Sequence, residues 1–296
     1  MSAEITLFVN PTAGRGRGAH AAQPAASALR EAGFSVRTVV GADAPDALER
    51  LREAVRGGTG AVVAVGGDGM VSLALQALAG TLVPLGVVAV GTGNDFARAM
   101  GLPVRDPARA GALAAEVLKR GRVREIDLGR VGGGTWYGTV LCSGFDSRVN
   151  DRGNRMRLPA GRFKYDLAMA LELAAFRPFP YRITLDDGPA VETEATLVAV
   201  GNGSSYGGGM RICADARPDD GLFDITVVGD CSRATLLKVF PRVYKGTHLG
   251  HPKVTVFRAA KVTLEAVGST AYADGEPLGA LPVTAECVPG ALRLLA

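Results

Sequence analysis

Cysteine is scarce and scattered in this chain. Cys142, Cys213, Cys231 and Cys287 form no C-x-x-C pair and no metal-ligand spacing. That argues against a zinc site or a disulfide scaffold and predicts reduced thiols in a cytosolic protein. The start, Met1-Ser2-Ala3-Glu4, lacks the basic and apolar segments of a secretory signal, so none is expected. Long uninterrupted apolar runs are missing too. No charge falls between Asp68 and Asp95, but Gly80, Pro84 and Gly86 break that stretch, and Ser72 and Gln76 interrupt its first half. It reads as a buried helix, a turn and the strand Leu85–Val90, not as a membrane span. A strong excess of either charge is absent: 33 Lys and Arg stand against 29 Asp and Glu, and the formal net charge is +4. This suits phosphate ligands or an anionic membrane surface and is too weak to imply nucleic acid. No Ser-His-Asp or Cys-His pairing stands out, and His248 and His251 lack a third metal ligand. There is no internal repeat or low-complexity segment.

Glycine and apolar residues fill the chain instead, with 40 glycines and 47% hydrophobic content. Residues 1–125 alternate. Apolar strands are predicted at Ile5–Val9, Ser35–Val40, Ala61–Val65 and Leu85–Val90. Helices are predicted at Ala19–Ala32, Pro45–Arg56, near 70–79, near 94–100 and at Ala108–Arg120. Continuous apolar strands alternating with helices predict a parallel sheet covered on both faces. From residue 126 onward the rhythm is that of short strands: Trp136–Leu141, Arg182–Leu185, Glu194–Val200, Leu222–Val228, Lys253–Phe257, Lys261–Glu265, Ala271–Asp274 and Val283–Cys287. Turns such as Asp187-Gly188 and Asp220-Gly221 separate them, and helices near Phe163–Phe176 and Arg233–Val243 interrupt. The expected fold class is an N-terminal parallel α/β sandwich followed by a mostly antiparallel β-sandwich. The boundary falls near 125/126, the last residues are free to return to the first domain, and a ligand cleft lies between the two.

Three glycine turns follow predicted strands. Asn10-Pro11-Thr12-Ala13-Gly14 opens the first, which continues through Arg15-Gly16-Arg17-Gly18. It is no Walker loop, since no Gly-Lys-Ser/Thr follows. Gly14, Gly16 and Ala19 fit a G-x-G-x-x-A dinucleotide fingerprint with Asp43 after the second strand, but Gly14 stands four residues too late for the turn. The second turn is Gly66-Gly67-Asp68-Gly69, and the third is Gly91-Thr92-Gly93-Asn94-Asp95-Phe96-Ala97. Glycines at a strand–helix turn let backbone amides approach an anion closely. Asn94 also reads as a helix cap and Asp95 as a first-turn dipole partner.

These three turns together resemble the diacylglycerol kinase catalytic-domain family, which includes bacterial lipid kinases and sphingosine kinases. Gly201-Asn202-Gly203, Tyr206-Gly207-Gly208-Gly209, Pro218-Asp219-Asp220-Gly221-Leu222-Phe223-Asp224 and Asp274-Gly275-Glu276-Pro277 are similar to its second-domain motifs, in the same order. The resemblance implies an ATP- and Mg²⁺-dependent lipid kinase with an NAD kinase/phosphofructokinase-like first domain. The enzyme would be cytoplasmic and peripheral to the inner face of the membrane, without a transmembrane segment, and compatible with a homodimer. By that resemblance Asn10, Pro11, Thr12, Ala13, Gly14, Thr38, Gly66, Gly67, Asp68, Gly69, Met70, Val71, Ser72 and Thr92 contact the nucleotide. Asp68 and Asp95 hold Mg²⁺, with Asp127 as a further ligand or else a solvated charge. Asp220 with the carbonyls of Arg217 and Leu222 forms a structural Mg²⁺ site. Glu276 is the proton acceptor, with Asp274 its rival. A carboxylate is needed because a lipid hydroxyl is a poor nucleophile. Two departures stand out: Met70 replaces the usual Thr and Ser72 the usual Asn. They leave open a non-catalytic lipid- or nucleotide-binding member of the fold. NAD kinase is the other alternative, since Gly-Gly-Asp-Gly is shared with it, and a Rossmann-type oxidoreductase fits least. The basic segment Arg148–Lys164 reads as a lid touching anionic lipid or as a solvated loop.

Overall fold

The computed structural model describes residues 4–145, 147–149 and 178–296. The helix expected near Phe163–Phe176, and all of the basic segment Arg148–Lys164 except Arg148 and Val149, lie outside them.

Four parallel strands form the first half of the structure: β1 (Glu4–Val9), β2 (Ser35–Val39), β3 (Ala61–Gly66) and β4 (Leu85–Ala89). They lie in the order β4-β3-β1-β2. Every residue of β3 and β4 is buried, because helices cover both faces. Side-chain alternation sorts the strands' residues into two cores. Phe8, Val62 and Ala64 face Leu51, Leu75 and Leu78 of α2 (Ala44–Arg56) and α3 (Asp68–Leu78). Leu7, Val63 and Val65 face Leu29 and Ala114 of α1 (Ala13–Glu31) and α5 (Pro107–Arg120). A short α4 (Asp95–Ala99) follows β4. Helix α1 starts at Ala13 rather than Ala19, so the first glycine turn is wound into an irregular first turn, with positive φ at Gly14 and Gly16. Asp43 accepts the Asp46 amide at 2.9 Å and caps α2; a nucleotide-ribose role is not what its carboxylate does here.

The second half runs β5 (Arg124–Val131), β6 (Thr135–Tyr137), β7 (Val140–Gly144), β8 (Phe179–Leu185), β9 (Val191–Gly201), β10 (Phe223–Gly229), α6 (Arg233–Lys245), β11 (Val254–Ala259), β12 (Lys261–Glu265), β13 (Thr270–Ala273), β14 (Glu276–Ala280) and β15 (Val283–Leu294). Pairing is antiparallel in the order β14-β13-β7-β9-β8-β12-β15, with β10 and β11 branching from β9 and β5 and β6 from β15. Tyr137, Tyr181, Ile183, Val200 and Phe223 fill one core; Val140, Cys142, Ala199, Ile212 and Tyr272 fill the other. The single strand expected at Trp136–Leu141 is two strands, because Gly138 and Thr139 turn their amides out of the ladder to a carboxylate described below. β15 is far longer than the expected Val283–Cys287. A register shift between Val288 and Leu292 bends it, and Leu294 then pairs with Leu85 of β4 in parallel. The chain's end thus returns to the first sheet and joins both halves into one hydrogen-bonded network.

Candidate active site

The three glycine turns stand together at the C-terminal ends of β1, β3 and β4, the edge where open α/β sheets bind ligands. Their backbones are in contact. The Asn10 amide donates to the Val65 carbonyl at 3.1 Å. A Cβ on Gly91 would lie 2.5 Å from the Gly67 Cα, and a Cβ on Gly14 would lie 2.1 Å from the Val90 oxygen. Gly14 also has φ +61°, which L side chains rarely adopt. Gly14→Ala is therefore expected to cost about 2–5 kcal/mol from backbone strain and the forced shift of Val90. Thermal unfolding reads this directly; a melting temperature within a degree of the parent would show that the turns are not packed this way.

Asn10 Oδ1 accepts the Thr12 amide at 3.0 Å and the Thr12 hydroxyl at 2.8 Å, which fixes the first turn from within. Pro11, Thr12 and Thr92 are exposed at the mouths of the turns, and Thr38 is exposed next to the end of edge strand β2. Met70 behaves differently. Its side chain is buried in the core, and its Cγ would stand 2.4 Å from a Cβ on Gly66. Val71 is buried as well, and Ser72 is half-buried on α3. Neither Met70 nor Val71 turns a side chain toward the loop mouths.

Asp68 starts α3 and reaches across to the third turn. One oxygen accepts the Asn94 amide at 2.7 Å and the other the Phe96 amide at 3.2 Å. Asn94 does not cap α4 with its side chain. It sits at φ +57°, donates to the Gly91 carbonyl at 3.1 Å, and its buried Oδ1 has no partner among the described residues. Asp95, 7% exposed, accepts the amides of Gly208 and Gly209, both at 2.7 Å. These belong to the turn Tyr206–Met210, which is closed by mutual backbone bonds of its end residues. The carboxylate of the third turn thereby clasps the second half of the chain. Asp68 and Asp95 converge above Gly93, where a Cβ would lie 2.8 Å from Asp68 Oδ2 and 3.1 Å from Asp95 Oδ2. Burial, aided by the charge of Asp68, pushes the Asp95 carboxyl up to about 6 against the downward pull of its two amides.

Asp274, at φ +50°, is fixed on the far side. Its oxygens accept the Gly138 amide at 2.7 Å, the Thr139 amide at 2.9 Å and the Thr139 hydroxyl. Burial raises its carboxyl above the ordinary range, and these bonds oppose the rise. Glu276 is exposed two residues on, with Oε1 only 3.8 Å from where a Gly69 Cβ would be. It alone of the two leans onto the second glycine turn.

Asp127 is neither solvated nor open. It is 4% exposed, and its oxygens accept the amides of Gly221 at 2.7 Å and Gly290 at 2.9 Å, tying β5 to the bend of β15. Asp220 accepts the Leu222 amide at 3.2 Å and is paired with the Arg258 guanidinium, which also reaches Asp224 at 3.1 Å. Positive charge is already supplied there. The set Arg217, Asp220 and Leu222 does not fit a divalent cation as it stands. Asp68 and Asp95 do fit Mg²⁺, which is commonly held by one or two carboxylates with substrate phosphates completing its shell. Among the described residues no group of three or more His, Cys, Asp or Glu side chains could hold a metal. His248 is buried against the Ile212 carbonyl at 3.0 Å, and His251 accepts the Lys253 amide.

Two residues take positioning roles that their sequence context did not assign. Gln76 on α3 bonds both backbone groups of Trp136, at 2.8 and 3.0 Å, and so locks the helix that begins at Asp68 to β6. Asn202 donates to the carbonyls of Asp127 and Gly138, at 2.8 and 3.0 Å. Its place at the end of β9 within Gly201-Asn202-Gly203 was the available signal; Gln76 has none, because a polar residue on a helix normally faces water.

Residues 4–131 match the diacylglycerol kinase catalytic domain, and residues 139–296 match the YegS C-terminal NAD kinase beta sandwich-like domain. A diacylglycerol kinase of Mycobacterium tuberculosis is 45% identical over 296 residues, covering 99% of this chain and 94% of that protein. The crystal structure of a diacylglycerol kinase from Bacillus anthracis superposes with a TM-score of 0.74 at 24% identity, covering 99% of this chain and 96% of that one. An NAD kinase from Archaeoglobus fulgidus in complex with ATP shares the fold at a TM-score of 0.57 and 12% identity, covering 100% of this chain and 94% of the other.

Proposed function

This chain belongs to the diacylglycerol kinase catalytic-domain family and is a lipid kinase, and from that premise we propose that it transfers the γ-phosphate of ATP, with Mg²⁺, to the hydroxyl of a diacylglycerol-like lipid. The observation that carries this reading is the convergence of three glycine turns, Asp68, Asp95 and Glu276 on one edge of the parallel sheet. Residues 1–125 form the nucleotide half and 126–296 the lipid half. The enzyme works in the cytoplasm, peripheral to the membrane.

The residues take distinct tasks. The backbone amides at the mouths of the turns, those of Gly14, Gly67, Asp68, Gly69 and Thr92, cradle phosphate oxygens, while Asn10 and Thr12 shape the first turn from within, so the Met70 side chain, buried below, is not asked for a contact. Asp68 and Asp95 hold Mg²⁺, which when bound neutralises charge on the transferring phosphoryl. Glu276 accepts the proton of the lipid hydroxyl as its oxygen bonds to the γ-phosphorus. The bond from that phosphorus to the β–γ bridging oxygen breaks, and ADP and the phosphorylated lipid leave. Asp274 keeps Gly138 and Thr139 in place under this carboxylate.

The test is phosphoryl transfer by the purified chain from labelled ATP and Mg²⁺ to micelles of diacylglycerol, phosphatidylglycerol or sphingosine. Label is expected in diacylglycerol and not in NAD, and chelation should stop it. Lowering the pH through about 6 protonates Asp95 and removes its charge. Thus kcat/KM for the nucleotide should fall on the acid side near 6, well above the ordinary 3.8 of an aspartate. Labelled NAD with unlabelled lipid would overturn the reading.

A further inference from the structure

Helix α6 carries a surface that the phosphoryl-transfer site does not use. Its inner face, Val239 and Val243, is buried, and Ser232 and Gly246 cap its two ends. Its outer face is unusual. Leu237 is 58% and Tyr244 47% exposed, and Phe240, half-buried, makes an edge-on contact with Tyr244 at 5.9 Å between ring centres. Positions 237, 240 and 244 share one face of a helix. Arg233 lies in line with this stripe, and Lys238, Arg242 and Lys245 run along one edge of it, Arg242 also donating to the Thr247 carbonyl at 2.6 Å; Arg233–Lys245 contains no acidic residue. None of the four cations forms an ion pair among the described residues. No described helix is long and apolar enough to cross a membrane.

We propose that α6 is the docking helix that seats the enzyme on an anionic lipid bilayer, with Leu237, Phe240 and Tyr244 entering the headgroup boundary and the four cations meeting lipid phosphates. This rests on the reading of the chain as a lipid kinase. An apolar stripe edged by Lys and Arg is the composition of helices that lie in a membrane interface. Charge chooses the occupant. A second copy related by a two-fold axis would set four cations against the same four, which is repulsive, whereas anionic headgroups complement them. The helix is also wired to the site. The Val243 carbonyl accepts the amide of Arg211, the residue after the turn Tyr206–Met210. Val243, Tyr206 and Met210 belong to one apolar cluster, and that turn holds Asp95 through Gly208 and Gly209. Docking at α6 therefore fixes the bilayer within a few residues of the turn that holds Asp95.

Vesicle sedimentation without ATP reads docking alone. The full chain should pellet with phosphatidylcholine–phosphatidylglycerol vesicles and far less with phosphatidylcholine alone, and added salt should release it. Each neutralised cation should weaken binding roughly fivefold, so Lys238→Ala with Lys245→Ala loses about 25-fold. Leu237→Ala with Tyr244→Ala should lose roughly tenfold. Both pairs should keep the parent's melting temperature and its activity on detergent-dispersed diacylglycerol. Equal binding to neutral vesicles, or variants that bind as the parent does, would overturn the proposal. So would variants that change a dimer into a monomer, which would assign α6 to a second copy. If the parent docks yet phosphorylates no lipid in detergent, docking stands and the kinase reading falls.

Discussion

Asp68→Asn is expected to lower kcat by about a thousandfold while the protein stays folded. A substitution that removes a single transition-state contact typically costs 10²–10³, and Asp68 serves two purposes at once. Its charge is half of the carboxylate pair above Gly93, and its two oxygens align the third turn through the Asn94 and Phe96 amides. Asparagine keeps one acceptor and turns an NH₂ toward the other amide. The lost bond is worth about 1–3 kcal/mol, or several degrees in melting temperature for a chain of this size. Loss of rate should therefore far exceed loss of stability. Removing Asp68 also removes the like charge that adds to the effect of burial on Asp95, so the acid limb near 6 should move down in whatever activity remains, while burial still holds it above 3.8. Steady-state rates on diacylglycerol micelles beside a thermal melt decide the matter. A loss below tenfold in a folded variant would take Asp68 out of the chemistry.

What could be read from sequence divides along a physical line. The three turns were legible because each is local: an apolar strand, glycines, then a helical period. Their convergence follows from parallel strand order, since successive C-termini in such a sheet share one edge. Features that depend on distant partners were not legible. Asp127 looked like a ligand or a solvated charge because nothing nearby in sequence shows that Gly221 and Gly290 will supply its donors. Arg258 stands 38 residues from Asp220, and no local pattern announces the pair. β15 outruns the expected Val283–Cys287 because Pro289 and Gly290 lie in a bend that lets the strand continue to β4. Met70 looked like a missing hydroxyl at the nucleotide. The helix instead turns its side chain inward, against Gly66 and into the core that also holds Leu75 and Leu78.

Asp274 and Glu276, two residues apart, should fail in opposite ways. The sequence left the proton acceptor undecided between them. In an extended strand they would share a face, but positive φ at Asp274 and Gly275 turns the chain and separates their surroundings. Asp274 is committed: three donors from Gly138 and Thr139 converge on its two oxygens. A carboxylate so engaged has little freedom to take a proton from a substrate. Asp274→Ala should strand two backbone amides, at about 1–3 kcal/mol each, and force alanine into a left-handed conformation at about 1–2 kcal/mol more. Its main effect should be a melting temperature lower by roughly 10 °C. Glu276 has no such duty; it is exposed and leans on Gly69, at the start of the helix that carries Asp68. Glu276→Gln keeps size and polarity and removes only the base, so kcat should drop by about 10²–10⁴ with KM for ATP and the melting temperature nearly unchanged. Asp274→Asn, which keeps the side chain's shape, supplies the control. If it folds and loses rate as Glu276→Gln was expected to, while Glu276→Gln turns over normally, the proton goes to Asp274 and the assignment reverses.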